Sequence, residues 1–277
     1  MKIPFTKMQG AGNDFVIVDE FSQVWIPERD KPAFVARAAR RHFGIGADGV
    51  IFVQKSEKAD ARFAFYNPDG SRAEMCGNGI RCFAKYLYEK DLVKKDKISV
   101  ETLSGVKTVD LFLTDGIVSS VKVDMGVPAV EFLAKEIMLG GFPENVSSVG
   151  MGNPHAIVFV SDVDGIDVVS KGRKLRNYLE LFPRGANVHF VQKVADNDFR
   201  IRTYERGVED ETQACGTGIC ASAVAAALNN LADTNKPITF HAKGGDLLIE
   251  LKSDFANTKR VYMTGPAEEV YTGEIPG

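Results

Sequence analysis

Met75-Cys76-Gly77-Asn78-Gly79-Ile80 is answered 139 residues later by Ala214-Cys215-Gly216-Thr217-Gly218-Ile219. The correspondence runs on either side of this motif at an almost constant offset. Gly12-Asn13 leads into Phe15-Val16-Ile17-Val18, as Gly152-Asn153 leads into Ala156-Ile157-Val158-Phe159-Val160. Gly46-Ala47 matches Gly185-Ala186, Phe65-Tyr66-Asn67 matches Thr203-Tyr204-Glu205, and Ile98–Gly105 matches Ile238–Gly245. Short glycine motifs that agree by chance do not keep one spacing over a hundred residues, so the chain is built twice on one plan. It must fold as two similar halves.

Each half reads as three strands, a helix opening at the cysteine, and two or three more strands, with a further helix before the second or third strand. Residues 61–66 and 198–204 alternate apolar and polar in the period-2 pattern of half-buried strands. A helical stretch runs from Phe34 to His42. After Cys76, Ile80, Phe83 and Leu87 recur at helical spacing over residues 79–90. Residues 217–231 after Cys215 are Ala-rich and apolar on nearly every side, the mark of a helix buried all round. The Gly/Pro signal at Met125-Gly126-Val127-Pro128 and the repeat together predict domains over 1–126 and 127–265. Residues 266–277 fall outside both copies, and a return to the first half is open to them.

A chain of 277 residues is long enough for two cores without disulfide or metal staples. Its 34 Lys+Arg are dispersed among 37 Asp+Glu, for a formal charge of −3, which carries no nucleic-acid footprint. The N-terminus turns polar before a signal-peptide core forms, and no stretch nears 18 uncharged apolar residues, so the expected setting is cytoplasmic, away from membranes. There Cys76, Cys82, Cys215 and Cys220 are expected as thiols.

A cysteine at a helix N-terminus faces unpaired N–H groups and the positive end of the helix dipole, which pull its pKa from about 8.5 toward neutrality. The thiol becomes a usable base. The same N–H groups bind an anion such as a carboxylate, and the glycines beside the cysteine let a substrate approach the backbone. A lone cysteine of this kind is more often a small packing residue; two at equivalent points suggest an acid and a base of one kind, needing no cofactor. Cys82 and Cys220 lie deeper in their helices and are assigned to packing. Neither cysteine pair has C-x-x-C spacing and no histidine is near in sequence, so no metal is expected.

Gly44-Ile45-Gly46-Ala47-Asp48-Gly49 is literally G-x-G-x-x-G, but it follows a helix and precedes a strand, the reverse of the dinucleotide-binding context. Gly10-Ala11-Gly12 reads as a bend with Asn13 aimed at a ligand. Asn67, Asn153, Asn187, Glu205 and Arg206 supply amides, one carboxylate and one guanidinium, a set suited to an amino acid with a second charged end. His155 is expected as a ring hydrogen-bonded near a cysteine, whereas His42, His189 and His241 lack matching company and read as structural.

Phe5-Thr6-Lys7-Met8-Gln9-Gly10-Ala11-Gly12-Asn13-Asp14-Phe15, Tyr66-Asn67-Pro68-Asp69-Gly70-Ser71, the two cysteine motifs, Gly152-Asn153-Pro154-His155 and Tyr204-Glu205-Arg206-Gly207 together resemble the diaminopimelate epimerase family over nearly the whole chain. The related proline racemase and hydroxyproline epimerase group typically has His where Asn78 stands. The resemblance implies an α+β fold of two pseudo-symmetric α/β domains, each a half-open β-barrel of mixed, mostly antiparallel sheet around a central helix. It implies a homodimer and a cofactor-independent, two-base interconversion of LL- and meso-diaminopimelate, a step of lysine and peptidoglycan precursor synthesis. By the same resemblance Cys76 and Cys215 are the acid–base pair. Gly77, Asn78, Gly216 and Thr217 hold the reacting carboxylate. Asn13, Asn67, Asn153, Asn187, Glu205 and Arg206 contact substrate, and His155 and Glu205 orient the cysteines. Gly49 stands where some members present a glutamine, and the 207–212 loop is one residue longer than the common form. Two other readings compete: a redox or metal-binding thiol protein, and the same chemistry on proline or hydroxyproline.

Overall fold

The computed structural model describes residues 2–253 and 259–277. Its contacts divide the chain into unit 1, Met1–Val123 with Gly265–Gly277, and unit 2, Asp124–Thr264. Unit 1 opens with the hairpin β1 (Lys2–Gly10) and β2 (Asn13–Asp19). Ala11 and Gly12 turn it at φ of 53° and 78°. Two successive left-handed residues make the turn whose twist matches that of the flanking strands. Helix α1 (Lys31–Ala38) follows, with Pro32 in its first turn. The sequence places this helix over Phe34–His42, but residues 39–42 already turn away. His42 adopts a φ of 71°, and the Gly46 and Ala47 N–H groups bond back to the carbonyls of Ala38 and Ala39.

The unit continues with β3 (Gly49–Gln54), β4 (Ala61–Tyr66), α2 (Gly77–Glu89), β5 (Lys97–Thr102), β6 (Gly105–Thr114) and β7 (Ile117–Gly126), which runs three residues past the unit's end at Val123. Strand β4 departs from its period-2 pattern: five of its six residues are buried, and Arg62 is half-buried. Both of its faces are covered. Ala64 and Tyr66 join the α1 core with Phe34, Val35 and Phe52, while Phe63 meets Phe83 of α2 edge-on at 5.3 Å.

Unit 2 holds β8 (Ala129–Leu139), β9 (Phe142–Gly150), β10 (Pro154–Phe159), α3 (Val168–Arg176), β11 (Asn187–Ala195), β12 (Asp198–Glu205), β13 (Asp210–Thr212), α4 (Gly216–Leu228), β14 (Ile238–Ala242), β15 (Gly245–Ser253) and β16 (Lys259–Gly265). On β12, Phe199, Ile201 and Thr203 are buried while Arg200 is exposed and Arg202 half-buried, the alternation read from sequence; at Tyr204 the alternation fails, because that ring is buried in the core with Val168 and Leu175 of α3. Gly218–Ala226 of α4 are buried without interruption. The last strand, β17 (Glu268–Pro276), pairs antiparallel with β1 from Gln9↔Glu268 to Lys2↔Pro276. Strand β8 pairs with β9 in the same way, from Ala129↔Gly150 to Leu139↔Phe142. Residues 266–277 therefore have a structural counterpart in residues 127–139.

The sheets confirm the duplication pair by pair. In unit 1 the strands lie in the order β17-β1-β2-β3-β4-β5-β6-β7, and in unit 2 in the order β8-β9-β10-β11-β12-β14-β15-β16, with β13 also against β12. Both ribbons run antiparallel, antiparallel, parallel, antiparallel, parallel, antiparallel, antiparallel. Each curls as a half-open barrel on its cysteine helix: α2 packs on β1, β2, β3 and β6, and α4 on β9, β10, β11 and β15. Among the described residues no helix is long and apolar enough to cross a membrane.

Candidate functional site

Cys76 and Cys215 are the N-caps of α2 and α4, both in extended backbone conformation. Gly77 and Asn78 behind the first, and Gly216 behind the second, are buried; Thr217 is half-buried. Each helix thus presents its free N–H groups beside a sulfur, a setting for an anion and for a thiol that must lose its proton. The deeper cysteines are buried, and burial pushes the Cys82 thiol up to about 12. That removes Cys82 from acid–base chemistry near neutrality.

In unit 1, Cys76 Sγ accepts from the Gly79 N–H (3.5 Å) and donates to Asn13 Oδ1 (3.6 Å), which also accepts from Asn78 Nδ2 (3.4 Å). Asn13, Cys76 and Asn78 are therefore brought together. Asn67 forms a turn instead, its Nδ2 donating to Ser71 Oγ at 3.0 Å. Gly49 opens β3 against Phe65: a Cβ there would lie 2.3 Å from Cε2 of that ring. The aromatic side chain occupies the room a longer residue at 49 would need.

Unit 2 replaces apolar residues with polar ones at matching positions. Strand register pairs Phe15 with Gly49 and Ile51 with Phe65 in unit 1; it pairs His155 with Asn187 and His189 with Thr203 in unit 2. Phe15, Ile51 and Phe65 are thus answered by His155, His189 and Thr203. These form one chain: Thr203 Oγ1 to His189 Nδ1, His189 Nε2 to His155 Nδ1, and His155 Nε2 to Asn153 Oδ1, each 2.9 Å. The amide oxygen of Asn153 only accepts, so His155 carries its proton on Nε2, His189 does likewise, and the Thr203 hydroxyl donates.

The ligand atoms of His155, His189 and Cys215 lie within 4.8 Å of one another, a potential metal-binding set. All four ring nitrogens already have protein partners, so an ion would have to break a hydrogen bond at each histidine it took. The cluster fits a hydrogen-bonded chain better than a metal cage. His189 is a residue the sequence reading missed. Its signal was a buried polar position where the first copy has isoleucine.

Burial pushes the His189 imidazole down to about 3, and burial, then the facing His189 and Arg206, hold His155 well below its usual range. Both are neutral in the folded protein at pH 7. The unfolded chain takes up protons below about 6.5 while the folded one resists, so this stability is complete above that pH and drains away toward pH 3. Urea unfolding at pH 7 and pH 4 should show wild type losing roughly 3 kcal/mol more than His189→Gln over that interval. Equal losses would mean that the ring titrates normally.

The other unit 2 residues are tied to backbone and loop. Asn187 Oδ1 accepts the Arg206 N–H at 2.9 Å, and its Nδ2 donates to the Pro154 carbonyl at 3.4 Å. Arg206 Nη1 donates to the Arg184 carbonyl (3.0 Å), and Glu205 Oε2 accepts from Thr212 Oγ1 (3.0 Å). The longer 207–212 loop turns through left-handed Gly207 and Glu209 into β13, which pairs back on β12. His241 lies between Asp246 and Asp198 at 2.7 Å each, which raise its pKa.

Comparison with known proteins gives a consistent result. The family model described as diaminopimelate epimerase matches residues 5–131 and 147–270. The chain is 44% identical over 284 residues to the diaminopimelate epimerase of Pelotomaculum thermopropionicum, covering 98% of each. It is 46% identical over 282 residues to that of Archaeoglobus fulgidus, covering 99% of this chain and 96% of the relative. Among solved structures, a Bacillus anthracis phenazine biosynthesis protein of the PhzF family superposes over 100% of both chains with a TM-score of 0.80 at 16% identity. At that identity the likeness speaks to fold alone.

Proposed function

Because the chain belongs to the diaminopimelate epimerase family, we propose that it interconverts LL- and meso-2,6-diaminopimelate without pyridoxal phosphate or metal. The observation that carries this reading is the pair of cysteines capping buried helices at equivalent places in two units. One thiolate takes the α-proton from one face of the carbon, and the second thiol returns a proton to the other. The carbon inverts and the two sulfurs exchange protonation states. The helix N-termini, through the N–H groups behind Gly77, Asn78, Gly216 and Thr217, would hold the α-carboxylate and the charge that spreads onto it as the proton leaves. Asn13, Asn67, Asn153, Asn187, Glu205 and Arg206 are assigned to the rest of the substrate, with Arg206 and the amides at the distal carboxylate and Glu205 near an ammonium. His155 and Glu205 are assigned to orienting the thiols. The homodimer, the cytoplasmic setting and a role in lysine biosynthesis belong to the same reading.

The test is proton exchange. Reduced protein in D2O with EDTA should incorporate deuterium at the α-carbon of diaminopimelate, while proline and hydroxyproline, assayed in parallel, gain none. Absence of exchange with diaminopimelate would overturn the proposal. Exchange with proline instead would move the chain to the related racemases.

A further inference from the structure

We infer that Asp48 is a positioning residue that keeps the resting proton on Cys76. The inference deepens the reading just given and depends on it only for its meaning in turnover. It starts from the orientation of one amide. Asn13 Nδ2 lies 2.6 Å from Asp48 Oδ2, and a carboxylate oxygen only accepts, so this end of the amide must be the nitrogen. Asp48 is held in place by Arg41, whose Nη2 lies 2.8 Å from its Oδ1 and 2.7 Å from Asp14 Oδ1. The Asp14 N–H also donates to Asp48 Oδ2 at 3.2 Å.

The opposite end of the network is fixed with the same sign. Arg81, 0% exposed, donates through Nη1 to Asn78 Oδ1 at 2.9 Å, which leaves Asn78 Nδ2 to face Asn13 Oδ1. A guanidinium can only donate, and a carboxylate can only accept. With one at each end, the chain Arg81, Asn78, Asn13, Asp48 has a single direction, and Asn13 Oδ1 is the atom turned to Cys76 Sγ.

A carbonyl oxygen stabilises a thiol that donates to it and opposes a thiolate beside it, whereas the Gly79 N–H and the helix dipole act in the other sense. The amide therefore offsets the acidifying effect of the helix start at Cys76. The equivalent amide in unit 2 is used differently: Asn153 Oδ1 accepts from His155 Nε2. The two asparagines, alike in sequence, thus spend their amide oxygens on different partners. In turnover a protonated Cys76 is the donor for the isomer whose α-proton Cys215 removes, and the roles exchange in the reverse direction. Cys215 sulfur gains the α-proton, the carbanion takes the proton of Cys76, and the pair ends with its protonation reversed.

Asp48→Asn tests this with little change of shape. Arg41 draws the new amide's oxygen to itself, which turns its nitrogen toward Asn13 Nδ2 and removes the acceptor that anchors that end; Asn78 Nδ2 alone then favours the present sense of the Asn13 amide, and a donor can turn to Cys76. Asp48→Ala, which only releases Asn13, is the second variant. Wild type and variants are alkylated with iodoacetamide at pH 7, Cys76 and Cys215 are quantified by peptide mass spectrometry, and melting temperatures report folding. Cys76 should react roughly tenfold faster in Asp48→Asn, the change expected of one pKa unit. It should react severalfold faster in Asp48→Ala, with Cys215 little changed in either. Folded variants in which Cys76 reacts at the wild-type rate or slower overturn the assignment. The assay uses no substrate, so its outcome is independent of the deuterium-exchange result.

Discussion

Cys76→Ala and Cys215→Ala should each reduce epimerisation of diaminopimelate by at least about 10²–10⁴-fold, the range a positioned acid or base contributes. Their melting temperatures should change little, because each replacement removes a single sulfur atom at a helix start and adds no bulk. Inversion needs proton removal from one face and delivery to the other, so neither sulfur can cover for its partner. Combining the two replacements should cost little more than either alone, since residues that act as a unit are not additive. Cys82→Ala and Cys220→Ala supply the contrast. Both thiols are buried within helices, and burial keeps Cys82 protonated; their loss should leave most turnover intact at some expense in packing. The measurement is the progress curve from the LL isomer, with circular dichroism for each variant. Substantial inversion by a folded Cys215→Ala protein would mean that the helix start binds the substrate without exchanging a proton.

The cysteine helices and the repeat were legible because both are local: a cap, a glycine pair and a fixed spacing suffice. The partners of each cysteine were less so. Asn13 reaches Cys76 across 63 residues of sequence, and the register that brings it there follows from β1 to β3 rather than from any motif. Asp48 looked like part of a loop between a helix and a strand, yet its carboxylate sets the sense of the Asn13 amide. His189 has no companion near it in sequence and reads as structural; its companions are one strand away on either side, His155 on β10 and Thr203 on β12. Alternation also misled at β4, where helices cover both faces, and served well at β12, where Arg200 remains exposed. Period-2 patterns register exposure, so they fade where a strand has none. The two histidines show the complementary limit. Polar residues buried on paired strands satisfy one another across the sheet, and only the register discloses the pairing.

Gly218→Ala should be among the most damaging single-methyl changes in the chain, and Gly79→Ala, its counterpart in the other repeat, among the mildest. Both glycines stand three residues after a catalytic-candidate cysteine, in the first turn of a buried helix. A Cβ at 218 would fall 2.0 Å from His189 Cε1 and 2.4 Å from Nε2. The ring cannot simply rotate away, because both of its nitrogens are bonded, to Thr203 and His155. Either the imidazole chain breaks or α4 shifts. At 79 the nearest atoms are the tips of Phe63, Ile51 and Phe15 at 3.3–3.4 Å, which need yield only a few tenths of an ångström. Overpacking of the first kind costs about 1–3 kcal/mol or more, lowering the melting temperature by roughly 2–12 °C for a protein of this size. A shift of α4 would also carry Cys215 with it, and a displacement near 1 Å is worth about 10²-fold in rate. The second glycine should lose less than about 1 kcal/mol, helped by alanine's better helix propensity. Adding His189→Ala to Gly218→Ala removes the colliding ring, so the double variant should be less unstable than the two single losses added together. Strict additivity, read from thermal melts of all four proteins, would show that the methyl group and the imidazole do not compete for the same space.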